Sequence, residues 1–226
     1  MAGWLECSRE RKRYYTWLEI DKRLSRVVPE LRRFAPDVIV AIGGGGFIPA
    51  RVLRSSLKVP IVAVSLELYD ASDAIGQEVT VRQWFDGTDS TAALVRGKRV
   101  LVVDEVDDSR TTLQFACEML ERRNGPAEMC VCVVHNKRRE KVGVLPPRVR
   151  YVAAEEVPDE WIVYPWDAAE NRLTPAEFDT VAHFGHAGLK IQQWLGGWVG
   201  RSGRLAGAGA LLLLLACSRG RSHHTS

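Results

Sequence analysis

The apolar positions of this chain fall in short unbroken runs. VIVAI (38–42), PIVAVSL (60–66), the VLVV of RVLVV (100–103) and MCVCVVH (129–135) are rich in β-branched residues and bounded by turn-forming or charged positions. Continuous runs of this kind, without polar alternation, predict strands buried on both faces. Residues 151–154 read as a further strand. Helical spacing fills the intervals. Leu18, Leu24, Val27, Val28 and Leu31 recur at three- and four-residue steps over 16–34, with Pro29 predicting a kink or a break into two pieces. Pro49 suits a first helical turn continuing over 51–57, and a helix follows the acidic turn after residue 108. Strands alternating with helices predict an α/β domain, a mostly parallel central sheet with helices on both faces. Residues 69–96 form a long polar excursion broken only around Trp84 and Phe85. Excursions of that length often cover a functional site.

After residue 173 the pattern changes. Residues 171–226 contain 9 of the 19 glycines. They also contain an apolar stretch, 205–217, that is short of the roughly 20 residues needed to span a bilayer. The expected organisation is one folded domain over 1–173 and a poorly ordered Gly/Leu-rich extension over 174–226, with no membrane partner. Charge supports the division: the formal net charge of +3 resolves into +4 for residues 171–226 and −1 for the rest. A folded part so close to neutral argues against a nucleic-acid partner. The five cysteines are odd in number and include no CxxC pair, so they read as small core residues in a reducing, cytoplasmic compartment. The opening MAGWLECSRERKRYY has no apolar h-region, and no signal peptide is expected.

The strongest chemical signal is VLVVDEVDDSRTTL. A buried strand delivers Asp104, Glu105, Asp107 and Asp108 within five positions, then Ser109, Arg110, Thr111 and Thr112 lead into a helix. A helix N-terminus offers unpaired N–H groups and a partial positive charge, and with neighbouring hydroxyls it suits a phosphate. Carboxylates suit what lies beside that phosphate: sugar hydroxyls, a divalent cation, or a proton to be moved. An Asp or Ser helix cap explains one of these residues, but not four acids whose mutual repulsion needs compensation.

DEVDDSRTT resembles the phosphoribosyl-pyrophosphate motif of the purine phosphoribosyltransferases, particularly the fungal hypoxanthine-guanine and xanthine branch. Three further stretches agree in order and spacing: PDVIVAIGGGGFIPARVLR (36–54), VVHNK (133–137) and VPDEWIVYPWD (157–167). The resemblance covers roughly residues 15–172. It implies a type I phosphoribosyltransferase fold with a small hood built from the N-terminal segment and residues after about 137. It also implies purine salvage: a 6-oxopurine (hypoxanthine, guanine or xanthine) and phosphoribosyl pyrophosphate give the nucleoside 5′-monophosphate and pyrophosphate, with Mg²⁺.

The same resemblance assigns residues. Asp108 handles a proton at the purine imidazole. Ser109, Arg110, Thr111 and Thr112 bind the 5′-phosphate, with pairing to Asp107 the alternative for Arg110. Asp104 and Glu105 hold the ribose hydroxyls and the metal, joined at the metal by Asp167. Gly43, Gly44, Gly45 and Gly46 form a pyrophosphate loop. Lys137 meets the C6 oxygen, and Trp161 stacks on the base. A loop beginning near Ser65 and Tyr69 closes over the site, and relatives often form homodimers. Asp107 takes a position that is apolar in many relatives and receives no role. The alternative is a nucleotide-binding regulator on the same fold that has lost catalysis; retention of Asp104, Glu105, Asp108, Lys137 and Trp161 favours the enzyme.

Overall fold

The structure is a computed structural model, and it describes residues 12–69, 75–85 and 90–202. Its strands are β1 (Lys12–Tyr14), β2 (Val38–Gly43), β3 (Ile61–Tyr69), β4 (Ile75–Gln83), β5 (Arg99–Asp107), β6 (Glu128–Lys137), β7 (Arg150–Val157) and β8 (Trp161–Val163). The helices are α1 (Trp17–Phe34), α2 (Phe47–Leu57), α3 (Ser90–Ala93), α4 (Thr111–Asn124) and α5 (Pro175–Ser202), with one 3₁₀ turn at Pro165–Asp167. Two compact units divide the described residues: 12 with 17–161, and 13–16 with 162 onward.

In the first unit a six-stranded sheet runs in the order β4-β3-β2-β5-β6-β7. β2, β3, β5, β6 and β7 are parallel, and β4 pairs antiparallel with β3 at one edge. Alternate side chains of each central strand go to opposite faces. On one face Val38, Val40, Ile42, Val100, Val102, Val131 and Val133 pack with Leu113, Ala116, Cys117 and Leu120 of α4. Ile39, Ala41 and Leu101 point the other way and are equally buried, as the contacts of α1 with β6 and β7 and of α2 with β2 and β5 require. The unbroken apolar runs are thus strands covered on both faces.

Three local expectations change. Helix α1 is continuous through Pro29, which lies on its exposed side while Val27, Val28 and Leu31 are buried around it. The carbonyl left without a proline N–H partner therefore faces solvent, and packing holds both halves in line. Strand β4 occupies part of the polar excursion, where IGQEVTVRQ forms an edge. Strand β7, which follows residue 137, joins the main sheet and so cannot belong to a hood.

The second unit pairs β1 with β8 and buries Val163, Ala168 and Phe178 against Tyr14, Leu173 and Ala182. Tyr14 and Phe178 meet edge to face at 5.4 Å. Helix α5 belongs here, so residues 175–202 of the expected extension are helical, with a break at Gly185 (φ 70°), and Phe178, Val181 and Leu189 are buried. The apolar stretch 205–217, and 70–74 and 86–89 of the expected covering segment, lie outside the described residues. Among the described residues no helix is long and apolar enough to cross a membrane.

Candidate active site

The sheet order places β2 beside β5, with Ala41 opposite Val103, while the chain leaves β2 toward β3 and β5 toward β6 in opposite directions. The carboxyl ends of two such neighbours part to leave a crevice, the usual ligand position in a parallel sheet. Here it is a cleft of about 500 Å³ between the glycine loop after β2 and the acidic turn after β5. Gly43, Gly44, Gly45, Asp104, Glu105, Asp108, Ser109, Arg110 and Thr112 line it, together with residues 66–68 of β3.

The glycine loop is required by what presses on it. A Cβ on Gly45 would fall 1.8 Å from the Glu105 carboxylate carbon, and one on Gly46 would fall 2.4 and 2.5 Å from the carbonyl oxygens of Val103 and Ile42. Gly44 has open space around it, so its backbone is bare toward the cleft. The Gly46 N–H donates to the Ile42 carbonyl at 2.9 Å, and α2 starts immediately after it.

The acidic turn separates its carboxylates by environment. Asp104 is buried, and its Oδ1 accepts the Glu105 backbone N–H at 2.9 Å. Burial, reinforced by the charge of Glu105, pushes the Asp104 pKa well above the usual carboxylate range. Asp104 and Glu105 give the cleft two hard oxygen donors. Mg²⁺ is commonly held by one or two carboxylates with substrate phosphates completing its shell, and a buried carboxylate with a raised pKa gains by meeting a cation, so this donor set fits. Asp108 stands between two cations: Lys137 Nζ donates to Oδ2 at 2.9 Å and Arg139 Nη1 to Oδ1 at 2.8 Å. Lys137 itself is buried at the end of β6. Asp159 lies 3.9 Å from Lys137 and 3.6 Å from Arg139.

Ser109 and Thr111 hydroxyls are 3.0 Å apart at the start of α4, where Thr112 also lies. The Arg110 side chain pairs with Asp107: its Nε and Nη2 donate to Oδ2 at 2.9 and 2.8 Å. Trp161 opens β8 and is 44% exposed, as a stacking platform needs, but does not itself line the cleft. Asp167 belongs to the second unit, where its carboxylate accepts the Tyr164 N–H at 3.3 Å. The sequence reading missed Arg139, although a strand-end position two residues beyond Lys137 was a usable signal. It gave no role to Lys141, whose partners are the backbone carbonyls of Asp107 and Asp108 and, at 3.4 Å, Asp107 Oδ1.

A parallel sheet with an acidic strand end, a phosphate-type turn and a glycine loop at its switch point defines a nucleotide-handling α/β domain. The phosphoribosyl transferase domain family matches residues 13–171, and the chain belongs to that family. It is 38% identical over 188 residues to xanthine phosphoribosyltransferase 1 of Saccharomyces cerevisiae, covering 70% of this chain and 90% of that one. To the hypoxanthine-guanine phosphoribosyltransferase of Schizosaccharomyces pombe it is 39% identical over 184 residues, covering 70% and 89%. A crystal structure of a hypothetical protein from Neisseria gonorrhoeae with bound ppGpp matches with a TM-score of 0.68 and 38% identity, covering 77% of this chain and 97% of that one.

Proposed function

We propose that the chain transfers the phosphoribosyl group of phosphoribosyl pyrophosphate to a 6-oxopurine, releasing pyrophosphate and a nucleoside 5′-monophosphate. The observation that carries this reading is the meeting, at one switch point, of Asp108 held by Lys137, the α4 N-terminus and the glycine loop packed on Glu105. Two yeast relatives of known purine specificity support it. So does the Neisseria structure, since ppGpp shares purine, ribose and phosphate chemistry with the expected product.

In the reaction the bond from ribose C1 to pyrophosphate oxygen breaks, a bond from C1 to a purine nitrogen forms, and the imidazole proton must leave. Backbone N–H groups and hydroxyls of Ser109, Thr111 and Thr112 bind the 5′-phosphate, aided by the helix N-terminus. The bare backbone of the glycine loop lets the pyrophosphate approach closely. Asp104 and Glu105 orient the ribose hydroxyls and would hold Mg²⁺, whose charge offsets that of the departing pyrophosphate. Asp108 accepts the imidazole proton, and Lys137 donates to the C6 oxygen. Trp161 offers an aromatic face to the base. A cytoplasmic location is proposed and is checked by fractionation, and light scattering decides between monomer and homodimer.

The test is a Mg²⁺-dependent assay of the full chain with phosphoribosyl pyrophosphate and hypoxanthine, guanine, xanthine or adenine. Turnover of an oxopurine is expected, and its rank order fixes the specificity. Preference for adenine would refute the role of Lys137. Donor binding without turnover of any base would favour the regulator.

A further inference from the structure

Asp107 has no part in the chemistry above, yet it is the most enclosed carboxylate of the acidic turn. Its side chain is fully buried, and a single oxygen, Oδ2, accepts from Arg110 Nε, Arg110 Nη2 and, at 2.7 Å, the Tyr151 hydroxyl. The Arg110 guanidinium also lies over the Tyr151 ring, 4.7 Å from its centre. Arg110 has φ 69° and ψ 0°, the left-handed conformation that favours glycine and disfavours a side chain. It sits at the cap of α4, between Ser109 and Thr111, where the direction of the first N–H groups is decided. Something must hold an arginine there, and the groups that touch its side chain are Asp107 and Tyr151.

The other side of the turn is held as well. Lys141 Nζ donates to the carbonyls of Asp107 and Asp108 at 2.8 and 2.9 Å and lies 3.4 Å from Asp107 Oδ1, and the N–H groups of Val142 and Gly143 both donate to the Ser109 carbonyl at 3.0 Å. Gly143 lies so close that a Cβ there would be 2.5 Å from the Arg110 carbonyl oxygen.

We infer that Asp107 and Tyr151 are positioning residues for the phosphate-binding turn: they lock the Arg110 side chain so that its left-handed backbone aims the N–H groups at the start of α4 into the cleft. Asp107 forms part of the cleft wall, but its carboxylate is fully buried against Arg110 and Tyr151 and is assigned no contact with the donor. The clamp serves the donor site assigned under the proposed function and rests on that reading. It carries a specific consequence: with glycine at position 110 the turn no longer needs it.

The experiment is a double-mutant cycle on the full chain. Phosphoribosyl pyrophosphate binding is measured by calorimetry, with steady-state kinetics alongside. Asp107→Asn is expected to weaken donor binding by about tenfold and Tyr151→Phe by about threefold, with kcat at saturating donor and KM for the base each moving less than about threefold. In an Arg110→Gly background the Tyr151→Phe loss should shrink to less than about twofold, whatever the affinity of that background itself. The Asp107→Asn loss should shrink there to less than about half its value in wild type, the remainder being the Lys141 contact. Equal losses in both backgrounds would overturn the clamp, as would losses confined to kcat. If Asp107→Asn does not fold, Tyr151→Phe makes the same comparison. Wild-type protein that binds no phosphoribosyl pyrophosphate would overturn the functional reading and the clamp with it. Donor binding by wild type with an additive cycle would overturn the clamp alone.

Discussion

The Lys137 ammonium lies 2.9 Å from Asp108 Oδ2, a contact between the end of β6 and the turn that follows β5, neighbouring parallel strands. Asp107 pairs in register with Asn136, so the residues one step further on, Asp108 and Lys137, emerge side by side. The sheet itself thus brings a candidate proton acceptor and a candidate donor for a purine oxygen to one corner of the cleft. Arg139 on the opposite carboxylate oxygen completes the charge compensation of Asp108.

Asp108→Asn removes the proton acceptor while preserving size and much of the hydrogen bonding. We expect kcat to fall by about 10²-fold or more, the usual scale for loss of a general base, with donor affinity changed only a few-fold. Steady-state kinetics with both substrates varied, together with calorimetric binding of the donor, checks this. Comparable losses in turnover and donor binding would contradict a proton-handling role.

Lys137→Met keeps an unbranched side chain but cannot donate to the C6 oxygen. The KM for the oxopurine should rise by about tenfold or more, because a purine oxygen that loses its donor on binding is left unpaired. The KM for phosphoribosyl pyrophosphate should stay within about twofold. An unchanged KM for the base, measured over all three oxopurines, would remove Lys137 from base recognition.

A pH-dependent stability effect is expected at the far end of the sheet. Asp37 Oδ2 accepts the Arg99 backbone N–H at 2.8 Å, and the Arg99 guanidinium lies 3.5 Å from the same carboxylate. The backbone bond first, then the guanidinium, lowers the Asp37 pKa below its ordinary value of 3.8. A depressed carboxylate contributes stability that is present above the unfolded pKa and is lost as pH falls through the folded one. Both side chains are more than a third exposed, so solvent screening keeps the effect below about 1 kcal/mol. Urea unfolding should show Asp37→Asn less stable than wild type at pH 7, with the difference shrinking as the pH falls below 3.8.

Legibility from sequence followed the range of the interactions involved. The strands β2, β3, β5 and β6 are written as continuous apolar runs, and the acidic turn sits at a strand end because the run stops there. Strand β4 was not legible: IGQEVTVRQ is an edge partner whose pairing with β3 comes from tertiary context. Glycine density hid α5, which is held by burial of Phe178, Val181 and Leu189 rather than by propensity. The fate of Arg110 was open for a similar reason, since its side chain is fixed partly by Tyr151 on a strand two places away in the sheet. Conversely, the places of Asp108 and Lys137 at neighbouring strand ends were legible, because each lies a few residues past a buried apolar run.

The glycine loop separates three effects of one methyl group. Gly44→Ala meets no atom within 4 Å, so thermal stability should stay within a degree or two, and any loss should fall on the pyrophosphate side as a higher KM for the donor. Gly46→Ala drives a Cβ to 2.4 Å from the Val103 carbonyl oxygen and 2.5 Å from that of Ile42, both in buried strand backbone that cannot yield. A cost on the order of 3 kcal/mol or failure to fold is expected. Gly45→Ala collides with the Glu105 carboxylate at 1.8 Å, the end of a side chain that can swing aside. Its melting temperature should therefore change little while turnover falls by about tenfold or more, because Glu105 is moved from the cleft. Thermal melts of the three variants beside their kinetics test the set: Gly45→Ala with full turnover would show that Glu105 need not stand where the loop holds it.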